Sequence, residues 1–244
     1  MYTLCMEYVI HHMEVVDSTN SVLKELAQSG EPEGYVLVAD RQTAGRGRLG
    51  RSFYSPAGSG LYFSILLRPK KSVTPAALTC LSAVAVAETI LSYGKPCSIK
   101  WVNDIYCHQK KACGILTEGA FLPDGTLSYA IVGIGINLSL PDTVPEELQS
   151  VLTAVFEEPT DPAFRDEFLS RLMDRFSAHY DRLPEIDFWE TYNRLQNCRG
   201  RKISFLQDGI RKTGTAESID RCFRLLVRTE EGLVALERGE VVFI

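Results

Sequence analysis

Between the strand-like run Tyr35-Val36-Leu37-Val38-Ala39 and Pro56 lies Asp40-Arg41-Gln42-Thr43-Ala44-Gly45-Arg46-Gly47-Arg48-Leu49-Gly50-Arg51, with four arginines, three glycines and a single acid. Glycine lets a backbone approach a ligand closely. Arginine presents a fixed fork of donors that matches phosphate and carboxylate oxygens. A loop built this way is suited to an anion. Gly45 to Gly50 satisfies G-x-G-x-x-G after a strand, but a dinucleotide fold needs that turn to open a helix. Here Phe53-Tyr54-Ser55-Pro56-Ala57-Gly58-Ser59-Gly60 follows, and its proline and glycines forbid a regular helix. No Lys-Ser or Lys-Thr pair follows a final glycine, so the stretch is not a P-loop. A solvated basic loop without a ligand is the plainer reading, and three glycines among the arginines argue against it.

The rest of the chain bounds the anion. Its 244 residues suffice for one large domain, or a large and a small one. Hydrophobic content of 45% and charged content of 23% are ordinary for a globule with a sizeable core. A net charge of −5 makes the basic loop a local feature of an acidic body, which favours a small anion over DNA. The seven cysteines (Cys5, Cys80, Cys97, Cys107, Cys113, Cys198 and Cys222) contain no C-x-x-C and read as reduced thiols. Residues 1–7 lack the basic and apolar regions of a signal peptide. No apolar run approaches membrane-spanning length, and a cytoplasmic protein is expected.

Periodicity predicts strands over Tyr8–Val16, Tyr35–Arg41, Leu61–Leu67, Ser98–Trp101, Ile105–Cys107, Ala112–Glu118 and Ser128–Asn137. A helix through Val22, Leu23, Leu26 and Ala27 starts at Ser18 or Thr19 and stops at Gly30. Thr74-Pro75 opens a buried helix that ends at Gly94, and Asp161-Pro162 opens a long amphipathic one. Residues 185–196 read as another helix. Beyond Asn197, short strands separated by Asp208-Gly209, Glu231-Gly232 and Arg238-Gly239 predict a small β-barrel. The expected domains are 1–196 and 197–244.

Four motifs recur in register: Ser18-Thr19-Asn20, the Gly-Arg loop with Ser55-Pro56, Lys100-Trp101-Val102-Asn103-Asp104, and Lys110-Lys111-Ala112-Cys113-Gly114-Ile115-Leu116-Thr117-Glu118. Together they closely resemble the biotin protein ligases. The resemblance implies an α+β fold: a mixed-sheet catalytic domain of the biotin/lipoate ligase type, followed by a small SH3-like β-barrel. It implies that biotin attacks ATP to give biotinyl-5′-adenylate, and that a lysine of a biotin carboxyl carrier protein then takes the biotinyl group. ATP and biotin are the implied substrates. Magnesium would be held mainly by the phosphates, with Asn103 a candidate ligand.

The resemblance also assigns residues. Lys111 and Arg48 fall at the implied catalytic positions, between the biotin carboxylate and the α-phosphate. Ser18, Thr19, Asn20, Gln42, Gly45, Arg46, Gly47, Arg48 and Lys111 fall at biotin-contacting positions. Arg46, Arg48, Arg51, Phe53, Asn103, Lys111 and Asn137 fall around the nucleotide. The chemistry is consistent. Two anions repel, so fixed cations between them lower the barrier, and a neutral urea ring needs hydroxyl and amide partners. Biotin's carboxyl is already ionised at neutral pH, so adenylation needs no general base. Residues 41 to 60 would order around the adenylate and keep water from it.

The family often has proline where Val102 stands, a departure that bears on the turn rather than on the chemistry. Some relatives carry an N-terminal DNA-binding domain. The first strand here begins near Tyr8, so no DNA contact and no membrane contact are expected, with a monomer or homodimer left open. Two other functions remain to be separated. A lipoate–protein ligase shares the adenylate chemistry, and a silent biotin-binding module would have no use for Lys111.

Overall fold

The computed structural model describes residues 6–69, 73–183, 185 and 187–244. Cys5 and the first part of the N-terminal segment read above lie outside them. Seven strands form the larger sheet: β1 (Val9–Val16), β2 (Tyr35–Gln42), β3 (Gly60–Leu67), β4 (Ser98–Lys100), β5 (Asp104–Cys107), β6 (Lys110–Phe121) and β7 (Leu127–Asn137). Their order is β1-β2-β3-β7-β6-β5-β4. β1 and β2 run parallel because helix α1 (Thr19–Gln28) carries the chain back between them, whereas the other pairs are antiparallel. The fold is thus mixed α+β on a mixed sheet.

Strand alternation assigns the two faces. Leu23 and Ala27 of α1 pack on Leu37, Leu66, Tyr129 and Ile131. The intervening residues Val36, Val38, Phe63, Ile65 and Val132 belong to the main core with α2 (Pro75–Ser92). Leu23 is fully buried, which stabilises the structure by about 1.5–3 kcal/mol. That burial fixes the start of α1, where Ser18, Thr19 and Asn20 sit.

Helix α2 begins as the sequence predicts, with Thr74 Oγ1 accepting from Ala77 N at 3.1 Å and Pro75 in the first turn. One expectation needs correction: α2 is long and apolar enough to cross a bilayer, by length and composition alone. Instead, 72% of that 18-residue stretch is buried within the protein. Helix α3 (Glu146–Gln149) is a short turn that the sequence reading passed over, and α4 (Pro162–Asp181) and α5 (Phe188–Arg194) pack against α2.

The C-terminal strands are β8 (Lys202–Gln207), β9 (Ile210–Ile219), β10 (Leu225–Thr229), β11 (Gly232–Leu236) and β12 (Val241–Phe243). They form an antiparallel sheet ordered β11-β10-β9-β8-β12. No ladder joins β11 to β12, so the hydrogen-bonded sheet is open where a barrel was expected. It is fastened through Phe223 to α5 and to the residue that follows β4. Phe223 stacks on Phe188 with ring centroids 5.5 Å apart, and Trp101 Nε1 donates to Phe223 O at 2.9 Å.

Candidate active site

The α1 face of the sheet carries a cleft. Its pocket side is lined by Ser18, Thr19, Asn20 and Gln42. Its basic side is lined by Arg46, Gly47, Arg48, Phe53, Asn103 and Lys111. The Gly-Arg loop and the β5–β6 hairpin, far apart in sequence, therefore meet over one surface.

The pocket side is a connected polar network. Gln42 Oε1 accepts from Thr19 N at 2.9 Å and from Thr19 Oγ1 at 3.1 Å, and Gln42 Nε2 donates to Ser55 Oγ at 2.9 Å. Ser64 Oγ donates to Asn20 Oδ1 at 2.6 Å and stands 2.7 Å from Thr19 Oγ1. Asn20 Nδ2 donates to Glu118 Oε2 at 2.8 Å and to Leu116 O at 3.3 Å. Thr19, Asn20 and Ser64 are buried, so these bonds offset the desolvation of their polar atoms. Ser18 holds the N-cap position of α1, but its hydroxyl makes no cap bond. It lines the cleft instead.

The loop is a folded hairpin. Gly47 N donates to Arg51 O at 2.7 Å and Phe53 N donates to Gly45 O at 2.8 Å. Gly45 packs beneath the loop, where a Cβ would stand 2.5 Å from Phe53 O. Leu49 has φ 58 and is exposed, a conformation that marks a sharp reversal between Arg48 and Gly50.

Each cation has a partner. Arg46 Nη2 pairs with Glu118 Oε2 at 2.5 Å, and Lys111 Nζ with Asp104 Oδ1 at 2.8 Å. Arg48 Nη1 donates to Asn103 Oδ1 at 2.8 Å and its Nη2 to Gly239 O at 3.0 Å. The Lys111 backbone is held on both sides, by Val151 O at 3.0 Å and Thr153 N at 2.9 Å. Lys111 Nζ lies 5.9 Å from the Phe53 ring centroid.

Three of the residues singled out by sequence do not line this cleft. Gly45 is a packing glycine. Asn137 Nδ2 donates to Thr153 O at 3.1 Å and ties the end of β7 to that segment. Arg51 forms a two-pronged bond with Glu240, at 2.8 and 2.5 Å, and so faces the C-terminal sheet. Arg51 holds the Glu240 carboxyl below its ordinary value. A lowered carboxylate stabilises above its unfolded pKa, and the contribution disappears as pH falls through the folded value. The pair is partly exposed, so Glu240→Gln is expected to cost less than about 1 kcal/mol at pH 7. The cost is expected to vanish once pH drops below the lowered carboxylate value, as read by urea unfolding at both pH values.

Three strand glycines not assigned to the site by sequence also shape it. A Cβ on Gly133 would collide with Asn20 Oδ1, and one on Gly135 with the Phe53 ring. A Cβ on Gly114 would stand 2.9 Å from Lys111 Nζ. These strand glycines let side chains lie flat on the sheet, and the two interrupting β7 were the visible signal. Cys113, beside the site, is buried, and burial pushes its thiol well above the ordinary value. It is packing, not a nucleophile.

Fold and site define a class of protein with a mixed sheet and cations gathered over one of its faces. The chain belongs to the biotin/lipoate A/B protein ligase family, whose model matches residues 12–137. It is 34% identical over 247 residues to the bifunctional ligase/repressor BirA of Bacillus subtilis, covering 96% of this chain and 74% of that one. It is 32% identical to the biotin–[acetyl-CoA-carboxylase] ligase of Paracoccus denitrificans, covering 93% of this chain and 97% of the relative. The biotin protein ligase of Aquifex aeolicus, solved with biotin and ATP, superposes with a TM-score of 0.82 at 33% identity, covering 96% and 98% of the two chains.

Proposed function

We propose that this chain is a biotin–[acetyl-CoA-carboxylase] ligase that activates biotin with ATP and transfers it to a lysine of a biotin carboxyl carrier protein. One observation carries the reading: Arg46, Arg48 and Lys111 share a cleft with a pocket of hydroxyl and amide groups. In the first step a biotin carboxylate oxygen bonds to the α-phosphorus, the bond to the bridging oxygen breaks, and pyrophosphate leaves. In the second step the carrier lysine's amine bonds to the acyl carbon, AMP leaves and the amine loses a proton.

Lys111 and Arg48 are assigned to the charge that develops between carboxylate and α-phosphate. Ser18, Thr19, Asn20 and Gln42 are assigned to the urea ring. Gln42 Oε1 already accepts two bonds, so Gln42 can offer a ligand only its remaining Nε2 proton. Phe53 is assigned to the adenine side of the cleft. Magnesium would arrive on the ATP phosphates and shield their charge. Asn103 Oδ1 accepts one bond from Arg48 and keeps a lone pair, which suits a hard cation. Residues 1–196 are read as the catalytic domain and 197–244 as an SH3-like module whose Gly239 and Glu240 brace the Gly-Arg loop.

Isotope exchange between pyrophosphate and ATP is expected with biotin as the added acid and not with lipoate, followed by biotinyl transfer to a carrier domain. Exchange with lipoate alone would assign the chain to the other branch of the family. Biotin binding with neither exchange nor transfer would leave a silent binding module.

A further inference from the structure

Among the described residues, Glu118 is the one carboxylate bonded to both sides of the cleft, and the ligase chemistry gives it no task. Its Oε2 accepts from Asn20 Nδ2 at 2.8 Å and pairs with Arg46 Nη2 at 2.5 Å. Asn20 is buried and belongs to the rigid strand–helix frame, because its Oδ1 accepts from Ser64 on β3. Arg46 belongs to the Gly-Arg loop and its side chain is 39% exposed. A carboxylate in a cleft meant for anions raises the cost of bringing another carboxylate there, unless its charge is neutralised by a cation.

We propose that Glu118 is a positioning residue that latches the Gly-Arg loop onto the biotin pocket. It fixes Arg46 over the pocket mouth and orients the Asn20 amide beneath it. Both effects run through one oxygen, so the two walls are set together. The alternation of β6 supports the placement. Gly114 and Leu116 line the cleft, and Glu118 follows on the same face, whereas Thr117 on the opposite face bonds Thr79 of α2. This inference rests on the reading of the cleft as a biotin site.

The test compares wild type, Glu118→Gln and Glu118→Asp. Gln keeps an acceptor for Asn20 but removes the ion pair; Asp keeps the charge but withdraws it by one methylene. Each is measured by biotin-dependent pyrophosphate exchange and by hydrogen exchange of residues 41–53. For Glu118→Gln the biotin KM is expected to rise about fivefold, the upper end for a partly exposed ion pair. Its kcat at saturating biotin should stay within about twofold of wild type, and the loop amides should exchange faster. Glu118→Asp should fall between. The thermal midpoint of each variant checks that it is folded. A biotin KM and loop exchange unchanged in both folded variants would overturn the latch. A wild-type protein with no biotin-dependent exchange would instead overturn the functional reading beneath it.

Discussion

Replacing Lys111 by alanine is expected to slow adenylate formation by about 10²–10³, the usual scale for removing one preorganised donor from a developing charge. The loss should appear in kcat of biotin-dependent pyrophosphate exchange, with biotin still bound. The reasoning is geometric. Lys111 has its backbone pinned between Val151 and Thr153, and its ammonium reaches back to Asp104 at 2.8 Å. The charge is therefore set in place before any ligand arrives, and no reorganisation is needed during the reaction. Gly114 maintains this arrangement, since a side chain there would press on the Lys111 Nζ and the Phe53 ring. A Lys111→Ala protein that exchanges pyrophosphate at the wild-type rate would remove Lys111 from the chemistry.

Gly133→Val is expected to weaken biotin binding roughly 100-fold. Its Cβ would stand 2.1 Å from Asn20 Oδ1. Asn20 cannot yield without breaking its bonds to Ser64, Glu118 and Leu116. Unpairing a buried polar group costs about 1–3 kcal/mol, and the displacement would also move Thr19 and the pocket wall. Titration calorimetry with biotin reads the effect, and a variant binding within twofold of wild type would show that the Asn20 network does not form the pocket. The thermal midpoint should fall by only a few degrees, because the main core lies on the other face of the sheet and is undisturbed.

The larger elements were legible because their patterns are local. The apolar run over residues 61–67, the Thr74-Pro75 start of α2 and the Asp161 cap each rest on a few neighbouring residues, and the caps form as expected. The gathering of cations on the Gly-Arg loop was legible because the arginines and glycines are neighbours in the chain, and Arg46, Gly47 and Arg48 do line the cleft. Glu118 was not legible. It stood in a quoted motif, but its partner Arg46 is 72 positions away, and only strand order β3-β7-β6 brings Asn20, Gly133 and Glu118 together. The same reason hid the turn of Arg51 toward Glu240, which depends on where the C-terminal sheet docks. Closure of that sheet was over-read: short strands and turns predict antiparallel hairpins, whereas the pairing of first and last strands is a long-range matter. That α2 also reaches spanning length was missed, although its extent and burial were read, because composition alone does not separate a core helix from a spanning one.

The most direct test supplies the protein with biotin and ATP labelled at the α-phosphate, without any carrier. If Arg48 and Lys111 hold two anions in contact, about one labelled biotinyl-adenylate per chain should accumulate on the protein with matching release of pyrophosphate. Label that stays in ATP, on a folded protein that demonstrably binds both substrates, would contradict that arrangement.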